Sequence, residues 1–366
     1  SIINLPPNFT ILIGIPIPEY IGYIFKSITI LINMFKYCCK KLFRFKSSNQ
    51  HTSTFSNVIY PNNKPIISSN SNATGLTMSK YKVIPTTEIV YNSRNVREKL
   101  GEGGASIVYK YESNGIQYAC KKISKSRSVV EREINVLSLY KPNKYIVKYF
   151  GCHLNENVQN SPMKKFHPPK PHYIFMEYCR GRELFEMLKS NYNYKIIISI
   201  IYQLLSALKH LQQYNIVHAD IKLENIIINN KNEIKLIDFG LSRIIEKGSI
   251  LQLKTHIGTV GYVSPEVMVD NYITSKTDVW SVGVLMYILL NNVHLFDVVN
   301  RDIYKKQLIY LTETLQKGLM IYNKTVPISM YHHIQSFMVK TICYDKPRLT
   351  IKNCLKHKIF SNVSIL

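Results

Sequence analysis

The pattern of apolar and polar positions divides the chain into three segments. Residues 1–46 are unusually apolar and end in a basic run, whereas residues 47–80 are rich in Ser, Asn and Thr with scattered prolines. The second composition cannot bury a core and predicts a linker. Residues 81–366 show strand patterns to about residue 178 and helical patterns after it. This order predicts one domain that is β-rich at its start and helical at its end.

Local patterns within this domain predict individual elements. Residues 226–228 and 234–237 are short apolar runs on either side of a polar turn, which predicts a β-hairpin. Apolar residues recur at helical spacing over residues 196–213, which predicts a helix. Residues 174–179 are predicted to form an apolar strand, and the proline-containing stretch 155–171 is predicted to be an insertion between two strands.

A further helix is predicted by a capping signature. Ser128 and Glu131 form a Ser-x-x-Glu capping box, which would start the helix at Ser128. The Glu131 side chain would then bond the backbone at the helix start, so Glu133 is the acidic residue that can point inward. Glu133 shares one helical face with the apolar residues Val130, Ile134 and Leu137.

The most informative feature of the composition is the net positive charge. The chain has 366 residues, 46% apolar content and a formal net charge of +24, of which residues 1–80 carry +7 and residues 81–366 carry +17. Such a field favours acidic partners, anionic membrane or nucleic acid, although a general enrichment in Lys, Asn, Ile and Tyr would produce it without any partner. The sequence contains no basic module interleaved with aromatic residues, so no specific nucleic acid is expected. Seven cysteines without a C-x-x-C pair predict reduced thiols and an intracellular location.

The amino-terminal segment allows two interpretations. Residues 20–39 are mostly apolar and barely reach the roughly 20 residues that a spanning helix needs. Cys38 and Cys39 lie beside the basic run that follows, which suits S-acylation and an anionic membrane surface. Membrane association through residues 20–46 is one prediction. The alternative is an apolar helix packed on the domain, or a disordered leader.

The strongest chemical signal lies on both sides of the predicted hairpin. Residues 218–225 read His-Ala-Asp-Ile-Lys-Leu-Glu-Asn, and residues 238–240 read Asp-Phe-Gly. Phosphoryl transfer needs a carboxylate to orient the acceptor hydroxyl and oxygen ligands to hold a divalent metal against the phosphates. Asp220 would orient the hydroxyl, and Lys222 would reach the transferred phosphoryl. The candidate ligands for Mg²⁺ are Asn225 and Asp238.

A glycine-rich segment and a lysine lie upstream of these motifs. Residues 100–108 include Gly101 and Gly103, and glycine lets a backbone approach phosphate oxygens closely. A pair of glycines alone is weak evidence, because most such pairs only make turns. Here Lys121 follows at the distance expected of one further strand, and Glu133 is its predicted partner.

Together these motifs resemble those of eukaryotic-type serine/threonine protein kinases. The resemblance extends to residues 258–266, which are similar to the end of an activation segment, to residues 278–283, and to Arg348, which would pair with Glu266. It implies an α+β, two-lobed protein-kinase-like fold with a small β-rich N-lobe and a larger helical C-lobe. It also implies ATP and Mg²⁺ as cofactors and protein Ser/Thr hydroxyls as acceptors.

The resemblance also implies a role for each matching residue. Asp220 and Lys222 would be catalytic, and Asn225 and Asp238 would bind the metal. The residues implied for nucleotide binding are Leu100, Gly101, Gly103, Val108, Ala119, Lys121, Glu133, Met176, Glu177, Cys179 and Ile227. Among them Met176 would be the gatekeeper, and the backbones of Glu177 and Cys179 would face adenine. Ser106 stands where the family pattern has a third glycine, and Ser264 stands where the family usually has alanine. Ala219 stands where some family members have an arginine that grips a phosphorylated activation loop.

The alternative function is that of a pseudokinase, a scaffold or binding module that keeps the fold without phosphoryl transfer. Pseudokinases usually lose the lysine, the loop Asp or the metal Asp, whereas this chain keeps all three. A small-molecule kinase on the same fold is a third class, which the activation-segment motif disfavours. Glu183 and Glu224 match acidic positions that receive basic substrates in some family members. Protein substrates with basic sequences are therefore the expected partners.

Overall fold

A computed structural model describes residues 89–103, 106–155, 170–190, 192–296, 302–304, 306–308 and 321–361. The predicted amino-terminal segment 1–46 and linker 47–80 lie outside these ranges, as do residues 81–88 of the predicted domain.

Antiparallel strands form the first part of the domain. They are β1 Val96–Gly103, β2 Ser106–Ser113, β3 Ile116–Ile123, β4 Tyr149–His153 and β5 His172–Glu177, in the spatial order β1-β2-β3-β5-β4. One helix, α1 Arg127–Leu139, lies between β3 and β4 in the sequence. The predicted insertion 155–171 falls between β4 and β5, and its residues 156–169 lie outside the described ranges.

The two faces of this sheet differ because side chains alternate along each strand. One face packs an aromatic cluster around Cys120, formed by Tyr111, Tyr118, Tyr173 and Phe175. Tyr91, which precedes β1, stacks on Tyr173 with ring centroids 3.7 Å apart. The chain thus covers this face with its own residues, and the opposite face borders the cleft between the lobes.

Helix α1 buries the predicted face but begins at a different residue. The apolar residues predicted for its inner face are buried together with Glu133. The predicted capping box is wrong, because Ser126 occupies the N-cap position and makes no side-chain cap bond. Glu131 instead pairs with Arg127 at 2.8 Å, because residues four positions apart meet on a helix surface. Ser128 therefore lies inside the first turn.

Helices form most of the second part of the domain. They are α2 Tyr194–Gln212, α3 Pro265–Met268, α4 Thr277–Asn291, α5 Ile328–Thr341 and α6 Ile351–Leu355. Helix α2 begins two residues before the predicted start, where the Asn193 side chain accepts a hydrogen bond from the Lys195 N–H at 2.9 Å. This bond satisfies one of the N–H groups that a helix start leaves without a partner. Helix α4 is buried along nearly its whole length.

Short elements complete the described structure. The strands are β6 Arg182–Glu183, β7 Ile216–Val217, β8 Ile226–Ile228, β9 Ile234–Leu236, β10 Arg243–Ile244, β11 Leu251–Gln252 and β12 Tyr272–Ile273. The 3₁₀ helices are Ser93–Asn95, Leu184–Lys189, Leu223–Asn225 and Lys358–Phe360. Strands β8 and β9 pair antiparallel, which confirms the predicted hairpin, and β6 joins β8 at its other edge.

A buried ion pair joins α3 to the chain just before α6. Arg348 Nη1 and Nη2 donate to Glu266 Oε1 and Oε2 at 2.7 and 2.8 Å, and neither side chain is more than 1% exposed. Burial raises the pKa of Glu266, but the Arg348 guanidinium outweighs burial, so the pKa is lowered overall. The predicted pairing of Arg348 with Glu266 is confirmed.

These elements confirm the predicted α+β architecture, with a small β-rich N-lobe and a larger helical C-lobe. In the portion of the chain that the structure describes, no helix is both long and apolar enough to cross a membrane. The predicted membrane segment, residues 20–46, lies outside that portion.

Candidate active site

Lys121 joins the two lobes through side-chain contacts. It lies on β3, and its Nζ donates to Glu133 Oε1 of α1 at 2.6 Å and to Asp238 Oδ1 at 2.7 Å. Lys121 and Glu133 are 6% and 5% exposed, whereas the Asp238 side chain keeps 44% of its surface accessible. The predicted pairing of Lys121 with Glu133 is confirmed, and Asp238 reaches the same point from the end of the β8–β9 hairpin.

Burial and ion pairing oppose each other at this junction. Burial lowers the pKa of Lys121, but Glu133 and Asp238 outweigh burial, so the pKa is raised overall. Removal from bulk water raises the pKa of Asp238, yet the Lys121 ammonium and the Gly240 N–H hold that pKa at about 2. Burial raises the pKa of Glu133, and Lys121 offsets this only in part. At neutral pH Lys121 is therefore cationic and Asp238 anionic.

Asp220 is held by a network of polar contacts and is 8% exposed. Thr259 Oγ1 donates to Asp220 Oδ1 at 2.7 Å, and Asn225 Nδ2 donates to Asp220 Oδ2 at 3.0 Å. Lys222 Nζ lies 3.1 Å from Asp220 Oδ2 and donates to Thr259 Oγ1 at 3.0 Å. Both carboxylate oxygens of Asp220 are therefore fixed in one orientation, beside a cation.

Asp278 holds the backbone immediately before Asp220. Its carboxylate, in the first turn of α4, accepts hydrogen bonds from the His218 and Ala219 N–H groups at 2.8 Å each. Burial raises the pKa of Asp278, and His218 with these N–H donors acts in the opposite direction. Ala219 has a φ of 64°, a left-handed conformation that few non-glycine residues adopt. Two hydrogen bonds thus hold strained backbone next to the candidate catalytic carboxylate.

Sequence reasoning missed the contacts of Thr259 and Asp278. Both residues belong to motifs that carry the family resemblance, but neither was expected to contact residues 218–220. Their hydrogen bonds join residues that lie 39 to 60 positions apart, and local spacing contains no information about such pairs. The available signal was the motif membership itself.

The sheet register brings four of the predicted nucleotide-binding residues to one face. Val108 lies opposite Lys121 in the β2–β3 pair, and Ala119 lies opposite Met176 in the β3–β5 pair. Directly opposed residues share a face, as do residues two apart along one strand. All four therefore point to the side on which Lys121 meets Glu133.

The predicted phosphate loop lies at the end of β1. A Cβ at Gly101 would meet nothing within 4 Å, and a Cβ at Gly103 would meet only Ser106 Oγ, at 3.8 Å. Leu100 is 39% exposed, and residues 104 and 105 lie outside the described ranges. The glycine backbone is therefore open to the approach of a ligand.

Glu177 lies at the connection between the lobes, and its backbone and its side chain have different hydrogen-bond partners. The Glu177 N–H donates to Lys148 O at 2.8 Å, and the Glu177 carbonyl accepts a hydrogen bond from Cys179 Sγ at 3.6 Å. The Glu177 carboxylate pairs with Lys235 Nζ of β9 at 2.8 Å. Cys179 lies two residues further along, and Ile227 lies opposite Lys235 in the β8–β9 pair.

Asn225 and Asp238 offer the oxygen ligands that a hard divalent cation prefers. Asn225 Nδ2 donates to Asp220, which directs the amide oxygen away from that residue. Asp238 contacts Lys121 through Oδ1 and is ionised at neutral pH. The described residues contain no group of three or more His, Cys, Asp or Glu that could hold a metal ion. Two protein oxygens fit a cation that takes its other ligands from phosphate oxygens and water.

Known proteins resemble this chain over about half of its length. Calcium-dependent protein kinase 29 of Arabidopsis thaliana is 34% identical over 213 residues, which are 54% of this chain and 37% of that protein. Aurora kinase of Eremothecium gossypii is 37% identical over 195 residues, 52% of this chain and 50% of that protein. Myosin light chain kinase A of Dictyostelium discoideum is 35% identical over 201 residues, 53% of this chain and 65% of that protein. The chain thus spans less than two thirds of the length of each of these relatives.

A family model described as the protein kinase domain matches residues 94–360. The match begins in the 3₁₀ turn before β1 and ends in the 3₁₀ turn Lys358–Phe360, so it includes both lobes. With this match over most of its length, the chain belongs to the protein kinase family.

Proposed function

We propose that this chain is an ATP- and Mg²⁺-dependent serine/threonine protein kinase. The observation that carries the proposal is the junction at Lys121, whose Nζ lies 2.6 Å from Glu133 and 2.7 Å from Asp238. A cation held in this way could contact nucleotide phosphates, and Asp238, which pairs with the same cation, would be a ligand for a metal on those phosphates. The family uses ATP with a divalent metal, and the choice of Mg²⁺ is part of the proposal.

Asp220 and Lys222 act at the acceptor hydroxyl in this proposal. Asp220 accepts a hydrogen bond from the hydroxyl, orients it and takes its proton late in the transfer. Lys222, 3.1 Å from Asp220, stabilises the negative charge that develops beside it. Thr259 keeps the two side chains in place through its hydrogen bond to each.

Separate residues would hold the nucleotide and the metal. Lys121 and the backbone near Gly101 and Gly103 would bind the phosphates, and Asn225 with Asp238 would bind the metal. The adenine would lie among Val108, Ala119, Met176 and Ile227, next to the Glu177 carbonyl and the Cys179 backbone. When bound, the nucleotide supplies the phosphoryl group and the metal neutralises charge on the phosphates.

Incubation of the 366-residue chain with radiolabelled ATP, Mg²⁺ and a degenerate peptide library tests this function. We expect label on serine and threonine. A pseudokinase would bind nucleotide in a thermal-shift assay and transfer no label, and a small-molecule kinase would leave every peptide unlabelled. Label on tyrosine alone would contradict the assignment to the serine/threonine class.

We further propose that acidic residues near Asn225 favour basic substrates. Glu224 Oε2 is buried and has no hydrogen-bond partner within the described portion of the chain. Glu183 is exposed on β6 and lies opposite Ile227 of β8, two residues from Asn225. A buried carboxylate oxygen without a donor is costly, and the guanidinium of a substrate arginine would supply donors in a matching fork. The opposing influence is the +17 charge of residues 81–366, which repels basic peptides.

Glu224→Gln is expected to lower kcat/KM by about tenfold for a peptide with arginine upstream of the phosphosite, because a hydrogen bond to a charged group contributes roughly 1.5–3 kcal/mol. The loss should be clearly smaller for a peptide in which alanine replaces that arginine. Glu98→Gln, an exposed glutamate on β1, serves as the matched control and should change neither value. Equal losses on both peptides, or a library preference for acidic sequences, would contradict the proposed preference.

Activity is expected to be largely independent of phosphorylation in the activation segment. The residue before Asp220 is Ala219, where family members that depend on this phosphate have an arginine to grip it. Phosphatase treatment should therefore lower peptide phosphorylation by less than about tenfold, or roughly 1.4 kcal/mol in the barrier. The candidate sites are Ser249 and Thr255, and a Ser249→Ala, Thr255→Ala variant controls for phosphate elsewhere. A larger loss in the wild type alone would refute this expectation.

Membrane association through residues 20–46 is proposed from the sequence alone. The apolar stretch and the basic residues after it would act together, since each basic residue near an anionic leaflet adds about 1 kcal/mol. We expect the full chain to co-sediment with anionic liposomes and residues 79–366 to stay in the supernatant. Equal sedimentation of the full chain and of a chain lacking residues 1–46 would contradict the proposed membrane association.

A further inference from the structure

Two adjoining cavities lie beside the connection between the lobes, on the side that the Glu177 carboxylate faces. Their volumes are about 430 Å³ and about 410 Å³. Both are lined by Lys144, Glu177 and Lys235. Cys179 and Ile227 of the proposed adenine site also line the larger cavity. The side chains of Lys144, Glu177 and Lys235, however, have no role in the proposed transfer of phosphate.

An ion pair joins the walls of these cavities. Lys235 Nζ of β9 lies 2.8 Å from Glu177 Oε2, and the same carboxylate oxygen accepts a hydrogen bond from the Lys148 N–H at 3.1 Å. Glu177 ends β5 of the N-lobe, and β9 belongs to the hairpin that Asn225 precedes and Asp238 follows. The cavity walls therefore come from both lobes and meet at the Glu177–Lys235 pair.

The acidic side chains of these walls are already engaged. Glu177 is paired with Lys235, and Glu233 Oε2 accepts a hydrogen bond from Asn229 Nδ2 at 2.9 Å. Both glutamate carboxylates therefore already contact a donor from the chain, Lys235 or Asn229. The charged side chains still available to a ligand are the others on the cavity walls.

Those remaining side chains are basic. Arg180, Lys144 and Lys148 are exposed on the cavity walls. The Lys144 ammonium lies 4.5 Å from the centroid of the Tyr145 ring, and the Lys148 ammonium lies 4.8 Å from that of Phe150. Exposed contacts of this kind are weak, and they leave the ammonium hydrogens able to bind an anion.

We propose that these cavities bind an acidic segment of a protein ligand. A carboxylate can pair with the Arg180 guanidinium in a fork geometry and with the ammonium groups of Lys144 and Lys148. The +17 charge of residues 81–366 would also attract such a segment from solution.

The arrangement favours separate carboxylates over a nucleic acid. Glu177 and Glu233 lie among the basic residues and offer no positive charge to a ligand, so a backbone that carries a charge at every nucleotide would leave some of its phosphates unpaired beside them. A peptide can place its acidic side chains on Lys144 and Arg180 and pass the two glutamates with neutral residues. The occupant is therefore a protein segment with spaced acidic residues.

Fluorescence anisotropy with a labelled peptide of alternating glutamate and glycine tests this site on the full chain. The titration is run at physiological ionic strength, where exposed charges more than about 8 Å apart are largely screened. Lys144→Glu combined with Arg180→Glu is expected to weaken binding by about tenfold or more, equivalent to roughly 1.4 kcal/mol. Both residues are exposed, so the fold should persist, and circular dichroism checks it.

The matched control is Lys352→Glu combined with Lys356→Glu, two exposed lysines in and directly after α6. It changes the net charge by the same amount and should weaken binding by less than about twofold. Equal weakening in both variants would assign the binding to net charge and overturn the proposal, as would absence of binding by the wild type. A single-stranded RNA that binds more tightly than the peptide, and that the cavity variant releases, would also overturn it. Peptide binding needs neither ATP nor transfer, so this result is independent of the proposed kinase activity.

Discussion

Asp220→Asn is expected to lower kcat for peptide phosphorylation by about 10²- to 10⁴-fold, the range attributed to a positioned proton acceptor. The asparagine has the same shape and can still accept the hydrogen bond from Thr259 Oγ1, which lies 2.7 Å from Asp220 Oδ1. It cannot take a proton from the acceptor hydroxyl, and it loses the ion pair with Lys222. Because Asp220 is assigned to the acceptor and not to the nucleotide, the loss should fall on kcat while nucleotide affinity changes by less than about twofold.

Asp238→Asn provides the contrasting result. It removes the negative charge that Lys121 and the Gly240 N–H stabilise, so metal-dependent nucleotide binding should weaken together with transfer.

Lys121→Met should also abolish most transfer, because Glu133 and Asp238 then lose their shared cation. Steady-state kinetics and isothermal titration calorimetry of nucleotide binding separate these effects. Wild-type transfer by both the Asp220→Asn and the Asp238→Asn variants would disprove the assignment of the site.

Arg348→Met is expected to lower the free energy of unfolding by about 3–5 kcal/mol, the usual cost of removing one partner from a buried ion pair. Glu266 would keep a charge that is at most 1% exposed and would lose two donors at 2.7 and 2.8 Å. Thermal unfolding should show a fall in Tm of roughly 2–4 °C for each kcal/mol. The double variant Arg348→Met, Glu266→Gln leaves no unpaired charge and should recover part of the loss. A loss below about 1 kcal/mol in Arg348→Met would show that the pair contributes little.

The same pair should make stability depend on acidity. The folded state lowers the pKa of Glu266, so its contribution is fully present above the pKa of an unfolded glutamate, about 4.5. It is lost as the pH falls through the lower, folded pKa. The difference in Tm between the wild type and the double variant should therefore shrink in that acidic range. A constant difference across it would contradict this reading of the ion pair.

Local spacing predicted most of the elements because strands and helices have different backbone periods. The β8–β9 hairpin and helix α2 were predicted to within two residues at the helix start. The start of α1 was mispredicted for a physical reason. The Ser128–Glu131 motif fits a capping box, but Glu131 also lies four residues after Arg127, and the ion pair on the helix surface formed instead. The four-residue motif contains no information about which of the two contacts of Glu131, the capping bond or the ion pair with Arg127, is more stable.

By itself the sequence determined the kinase-family motifs and the alternation that places Val108, Ala119 and Lys121 on one face of a sheet. Only the tertiary structure decided which side chains meet across long separations: Lys121 with Asp238, 117 positions apart, and His218 with Asp278, 60 positions apart. It also decided that the Glu177 carboxylate turns to Lys235 and that Lys144 and Arg180 surround a cavity. Spacing along the chain shows on which side of a single strand or helix a side chain lies. The contacts named above depend instead on how separate elements pack against one another.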